Sequence, residues 1–489
     1  MNTLLSSVKL SLRPAAAVGV VLALLPGPVI HAADELKALR PGTELFVDDS
    51  QIARQSGTTR RIHAADKWPE PVLVADQPWE GGDAVRIYGT TLHDEKTGEF
   101  RMWYSQLYAT SRDGIHWTKP KMDLFPSNGL PTNRVLPKGG GAVIFDPTDP
   151  DPAKRYKALA NETIKVGGFS GYHSPDGIHW TRYGEKPVIT VGSELGHLMH
   201  DPATGKYFAY IRPFSPKYFP ASNRQKRLGG VVTSDDFIHW SEMKVVLEPD
   251  EMDDAWVTRP EQRTEFYAMN GFAYGNSYLG IVPLFRITDI LETKKPGQSK
   301  YDGPMEGQLI TSRDGLQWQR LADRSPVIPS GTTYDRSVMN VAIAPIVVKD
   351  EVWHYYTAIN ATHGAPRPPK RITIALARWR LDGWVSLDAG TEEAMVETLP
   401  IADPGRDALP RTGILEINAN AAKGRLVVEV LDSNGHPLSG YTAADCQPLT
   451  ADQVRHTVRW TRHETLPKSR PFKLRFRFQD ASLFSYTLR

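Results

Sequence analysis

The sequence predicts an all-β protein, a five-bladed β-propeller followed by a C-terminal antiparallel β-sandwich. Three observations carry that expectation. A short segment, Ser-x-Asp-Gly-x-x-Trp, recurs along the chain, and strand-like runs joined by hairpin residues precede each copy. No stretch between the copies has the apolar spacing of an amphipathic helix.

The repeat sets the blade count. SRDGIHW from Ser111 returns as SPDGIHW from Ser174, SDDFIHW from Ser234 and SRDGLQW from Ser312, at separations of 63, 60 and 78 residues. A degenerate copy, ARWRLDGWVSL, starts at Ala377. Such a period is longer than any helical-hairpin repeat and accommodates a four-stranded sheet with long loops.

Within each period the strands follow in order. An apolar run, such as RIYGTTL, GAVIF or VAIAPIVV, suits an inner strand buried on both faces. A turn follows (HDEKTG, DPATG and AYG are examples), and then an alternating or aromatic strand such as GEFRMWYS from Gly98 or EVWHYYTA from Glu351. Five copies place five blades over residues 44–390. ELFVDDSQIA, from Glu44, reads as the strand that closes the ring against the last blade. Residues 391–489 change character to long alternating runs such as ILEINANAAKGRLVVEVL, the pattern of a β-sandwich.

The repeated acids are structural by the same reasoning. In each copy Asp accepts backbone N–H bonds, Gly takes a positive φ and Trp packs between blades. A catalytic site is asymmetric, whereas Asp113, Asp176, Asp236 and Asp314 occur blade after blade. His116, His179 and His239 go with them.

Residues 1–33 have the layout of a secretory signal peptide. Lys9 and Arg13 precede the apolar run Ala15–Leu25, then Pro26, Pro28 and small residues, with cleavage expected near Ala32 or Ala33. The mature protein is therefore expected to be secreted or periplasmic, without a membrane span. Lys plus Arg (58) nearly balance Asp plus Glu (56), which gives no basic block for nucleic acid. The single cysteine, Cys446, allows no intramolecular disulfide and reads as a packed side chain.

On these residues the chain resembles known families. SxDGxxW resembles the Asp-box of sialidase-type propellers. PVLVADQPWEGGD followed by IYGTTLHDEKTGEFRMWYS resembles the first blade of the five-bladed invertase and arabinanase glycosidases. The resemblance implies a glycoside hydrolase whose acids stand at the starts of the inner strands of blades one to three. In blade three, SELGHLMHDP resembles the family's Glu-Cys-Pro-Asp-Leu-Phe and puts Glu194 in the general-acid position. In blade one, PWEGGD offers Asp83 or Glu80 as base or nucleophile. In blade two, LPKGGGAVIFDP has glycines there, and Asp146 falls past the strand.

Further candidates surround these acids. Trp79 suits stacking on a sugar face or packing in the core. His197 suits hydrogen bonding to sugar hydroxyls or packing. Glu265, Asp335 and Arg336 precede the inner strands of blades four and five, and Arg61 and His63 lie upstream of blade one. The expected partner is a carbohydrate. No cofactor or obligate catalytic metal is expected, although Asp-rich turns leave room for structural calcium. The rival expectation is a non-catalytic carbohydrate-binding propeller, and a lyase or phosphorolytic enzyme on the same ring is a third.

Overall fold

The computed structural model describes residues 42–82, 84–137, 139–161, 168–190, 195–215, 225–292, 295–401, 412–467 and 471–489. The expected signal peptide lies outside them. Among the described residues the chain is all-β, and its helical elements are two single 3-10 turns, Pro78–Glu80 and Pro152–Lys154. No helix there is long and apolar enough to cross a membrane.

Five antiparallel sheets follow one another along the chain. The first orders Thr91–Asp94, Glu99–Tyr104, Leu107–Ser111 and Trp117–Thr118. The second runs from Gly140–Phe145 to Thr181–Arg182, and the third from Leu195–His200 to Lys244–Leu247. In the fourth, Arg263–Phe266 and Phe272–Tyr274 both pair with the long strand Ser277–Ile287, which then pairs with Met305–Ser312. In the fifth, Ser337–Val341 pairs with Glu351–Ile359, then Ile372–Arg380, and the outer position is taken by Asp66–Lys67. The second strands are buried nearly throughout, as YKALA and YFAYI show, because both faces of each sheet are covered by neighbours.

Neighbouring sheets are bonded in cyclic order. Trp103 Nε1 of the first sheet donates to the Gly177 carbonyl of the second (2.7 Å), and Tyr207 of the third donates to Asp146 of the second (2.5 Å). Tyr210 of the third reaches Gly315 O of the fourth (3.2 Å), and Asn270 of the fourth reaches Ala342 O of the fifth (3.1 Å). Tyr355 of the fifth donates to Gly114 O of the first (2.8 Å), which completes the circuit. The inner runs of the first and second sheets nearly touch: a Cβ on Gly141 would lie 2.0 Å from the Tyr88 carbonyl oxygen, so only glycine fits.

The recurring turn has one geometry in four copies. In the first, Asp113 Oδ1 accepts from the amides of Ile115 and His116 (2.8 Å each), while Ser111 Oγ accepts from Gly114 N (2.9 Å). Asp176, Asp236 and Asp314 repeat these bonds. Gly114, Gly177 and Gly315 take positive φ, and so does Phe237, which occupies the glycine position of the third copy.

Two further sheets share a separate core. One orders Ile52–Ser56, Ala394–Thr398, Lys473–Gln479 and Arg425–Leu431. The other joins Thr58–Ile62, Val385–Ala389, Ala481–Leu488, Leu415–Asn420 and Asp452–Thr457, with Thr43–Leu45 also paired to Ala481–Leu488. Phe46, Val428, Phe476, Leu483 and Tyr486 lie in the apolar layer between them. These pairings correct the expectation for the segment from Glu44. Its strands join the C-terminal sheets, and Asp66–Lys67 is the N-terminal strand that completes the fifth sheet. The apolar side chains of Leu45 and Val47 still reach the core shared by the fourth and fifth sheets.

Candidate functional site

The five inner strands define two concave ends. Toward their C-termini, Leu92, Phe145, Met199, Phe272 and Pro345 line one apolar hollow, and each comes from a different sheet. Upstream on the first, fourth and fifth of these runs, Arg86, Tyr267 and Met339 line a second concavity. The hairpin region of Gly297 and Ser299 and the loop carrying His363, Arg367 and Lys370 form its remaining walls. The backbone brings Arg86 there because Ala84 bridges Ile372 and Val85 N donates to the Ile372 carbonyl (3.0 Å).

This second cleft is cationic. Lys370 is 4 % exposed, and its ammonium donates to the His363 carbonyl (2.7 Å). Burial pushes its pKa down to about 8, and the charges of Arg367 and Arg86 add to that effect against Asp302. Among the described residues no carboxylate pairs with Arg86, Arg367 or Lys370, and Arg367 Nη1 is buried without a hydrogen-bond partner. Asp302, whose charge reaches Lys370, already accepts from the amides of Gly303 (2.8 Å) and Gly364 (2.7 Å) through Oδ1.

His363 is held neutral. Burial pushes its pKa down to about 4, and its Nδ1 faces the Tyr301 carbonyl at 3.0 Å. A neutral ring in that position carries its proton on Nδ1 and keeps Nε2 as an acceptor. Gly297 lets the opposite wall close on Arg367. Its φ is +69°, and a Cβ there would lie 2.7 Å from Arg367 Cβ.

The acids expected from the sequence divide into two groups. Asp83 and Glu194 lie outside the described residues. Glu80 is corrected to a structural role, because its carboxylate accepts from the amides of Asp76 and Gln77 (2.9 Å each), from Tyr104 Oη (2.9 Å) and from Lys119 Nζ (2.8 Å). With four donors around it, this buried carboxylate caps the 3-10 turn instead of meeting substrate. Trp79 takes the packing alternative: its Nε1 donates to Asn133 Oδ1 (2.8 Å) and its ring lies against the core of the first sheet.

Other candidates are also pinned elsewhere. His197 is wholly buried, with Nδ1 3.0 Å from the Met269 carbonyl and Nε2 against that of Val341. It ties the third sheet to the fourth and fifth, and so takes the packing alternative and not that of a sugar ligand. Burial pushes its pKa down to about 4, so it is neutral. Glu265 bonds Arg263 Nε (2.6 Å) and Arg227 Nη1 (2.5 Å) behind Tyr267, and Arg227 in turn lies 5.7 Å from the Tyr267 ring centroid. Asp335 accepts from Lys67 (2.6 Å) and Tyr356 (3.0 Å), which knits the fifth sheet.

Arg61 and His63 depart from the pocket expectation because their strand belongs to a C-terminal sheet. Arg61 lies 3.6 Å from Asp388, and His63 Nε2 is 2.7 Å from Ser386 Oγ. Arg336 is exposed. The residues that the sequence reading missed are Arg86, His363, Arg367 and Lys370. The signal for the last three was present as HGAPRPPKR, a base-rich insert between two strands, while nothing in DAVRIYG marked Arg86.

Among the described residues no group of three or more His, Cys, Asp and Glu side chains is arranged to hold a metal ion. No family model matches the chain, and no curated protein matches it. Several solved structures are similar. A glycosyl hydrolase from Bacteroides ovatus is 14% identical over 66% of this chain and 97% of that chain, with a TM-score of 0.42. An N-acetylgalactosamine deacetylase from F. plautii is 15% identical over 66% and 96%, with a TM-score of 0.39. A GH32 β-fructofuranosidase from Bombyx mori is 11% identical over 86% and 94%, with a TM-score of 0.37.

Proposed function

We propose that the chain is a glycoside hydrolase built on a five-bladed β-propeller with a C-terminal β-sandwich. Hydrolysis is assigned to the end of the ring where the inner strands start. Glu194 is the general acid and Asp83 the base or nucleophile. The cyclic bonding of the five sheets supports the ring, and the polar cleft at the strand starts is the observation that carries the assignment. In sequence Asp83 precedes Arg86 of that cleft by three residues, and Glu194 immediately precedes the inner strand Leu195–His200.

Glycosidic cleavage needs one protonated carboxyl to help the leaving oxygen depart and one ionised carboxylate across the bond. With residues 1–33 read as a signal peptide, the enzyme acts on carbohydrate outside the cytoplasm. The test is turnover of a panel of plant and algal oligosaccharides by wild type, Glu194→Gln and Asp83→Asn. Each variant is expected to lose about 100-fold or more in kcat at an unchanged melting temperature. Full activity in both variants overturns the assignment, and tight sugar binding without turnover by wild type favours the non-catalytic reading.

A further inference from the structure

Among the described residues, the strand-start cleft has more cationic charge than its neighbours neutralise. Arg86 comes from the first sheet, and Arg367 and Lys370 come from one loop of the fifth. None of the three has a carboxylate partner among the described residues. Arg367 Nη1 is a donor removed from water with no acceptor among the described residues. A buried donor left without an acceptor destabilises the fold, so a cluster of this kind calls for an external acceptor. Tyr267 and Met339 wall the cleft, and the neutral His363 adds an acceptor for a hydroxyl. Guanidinium forks and an ammonium around a concave space match an oxyanion with several acceptor oxygens, while apolar and hydroxyl-accepting walls suit the ring that bears it.

We propose that this cleft is the subsite for the oxyanion substituent of an acidic sugar, a carboxylate or a sulfate ester, bound by Arg86, Arg367 and Lys370. The proposal rests on the hydrolase reading and supplies its substrate class: an anionic glycan. The loop between Glu351–Ile359 and Ile372–Arg380 is then the specificity element, and Gly297 is the position that lets it seat against the facing hairpin.

The experiment is calorimetric binding to the full mature chain, with ligands paired so that only charge differs. One pair is tetragalacturonate and its methyl ester, a second is a sulfated carrageenan oligosaccharide and its desulfated form, and inorganic phosphate is the free-anion probe. At least one charged member is expected to bind about tenfold or more tighter than its neutral partner. Arg367→Gln and Lys370→Met are each expected to abolish that preference while leaving affinity for the neutral member and the melting temperature in place. Arg86→Gln, from a different sheet, is the second variant if the loop variants fail to fold.

Equal affinity within both pairs overturns the proposal, as does a preference that survives the variants or the absence of binding by any oligosaccharide. Inorganic phosphate binding as tightly as the oligosaccharides also overturns it, by reassigning the cluster to a free anion. Preference for the galacturonate or for the sulfate ester names the substituent. Because binding is read without turnover, an inactive panel would strike the hydrolase reading alone.

Discussion

Lys370 keeps an ammonium at 4 % exposure beside two guanidiniums, and its pKa falls to about 8 from an ordinary value near 10.5. The unfolded chain therefore holds this proton up to higher pH than the folded chain does. Between about pH 8 and 10.5 the Lys370 contribution makes stability rise with pH, and below 8 the buried charge costs stability. A bound anion favours the protonated form. Affinity for a charged oligosaccharide is therefore expected to hold level up to about pH 7 and then fall through pH 8–9. The neutral partner should show no such trend, and Lys370→Met should flatten the charged one. His363 is already neutral across this range, so its ring does not contribute to the fall. A profile that falls equally in Lys370→Met would assign the pH dependence elsewhere. Side-chain partners of this kind were the least legible feature of the sequence. PWEGGD shows a carboxylate next to a tryptophan, but nothing in it shows Tyr104 and Lys119 arriving from distant strands to saturate Glu80. HGAPRPPKR shows three bases, but nothing in it shows that the Ala84–Ile372 bridge brings Arg86 beside them.

The turn element was the most legible, because its bonds span two or three residues and its chemistry is written locally. Asp176 accepts from the His179 ring Nδ1 (2.7 Å), from His179 N and Ile178 N (2.8 Å each) and from Ser174 Oγ (3.0 Å), and these bonds hold its carboxyl below the usual range against the opposing effect of burial. The same economy explains the tolerance at Phe237. Its side chain is fully buried against Tyr207 and Trp240, and that packing offsets a φ of +67°. Asp176→Ala is expected to destabilise the protein by about 1–2 kcal/mol at neutral pH. A carboxylate with a depressed folded pKa stabilises fully above its unfolded value, near 3.9, and loses that contribution as pH falls through the folded value. The difference between wild type and variant should therefore persist down to about pH 4 and shrink below it. Urea titrations at stepped pH provide the check, and a gap that stays constant to pH 2 would remove the carboxylate from the account.

On the scale of the whole molecule, the boundary drawn at residue 390 follows a change of pattern that is visible in the sequence. The pairing across it is not visible there. Thr43 and Thr487 are hydrogen-bonded at 2.8 Å across almost the full chain, and Val385–Ala389 lies between Thr58–Ile62 and Ala481–Leu488. Local alternation specifies strands but not partners hundreds of residues away, so the N-terminal strands were read into the ring when they belong to the C-terminal sheets. The contact between the two parts is polar as well as apolar. Asp382 accepts from Tyr274 of the fourth sheet and from Ser485 (2.6 Å each), and Arg380 reaches Asp452 (2.6 Å) and Asn418 (2.8 Å). Removing residues 391–489 would strip the partners from Thr43–Leu45 and Ile52–Ser56, take one of the two partners from Val385–Ala389, and expose Phe46 and Leu387. Unpaired edges next to bare apolar side chains promote aggregation. A chain ending at Gly390 is therefore expected to be largely insoluble, while the mature chain melts in a single transition by calorimetry. A soluble 34–390 fragment that melts at the full-length temperature would instead establish that the ring stands alone and that the N-terminal strands only decorate it.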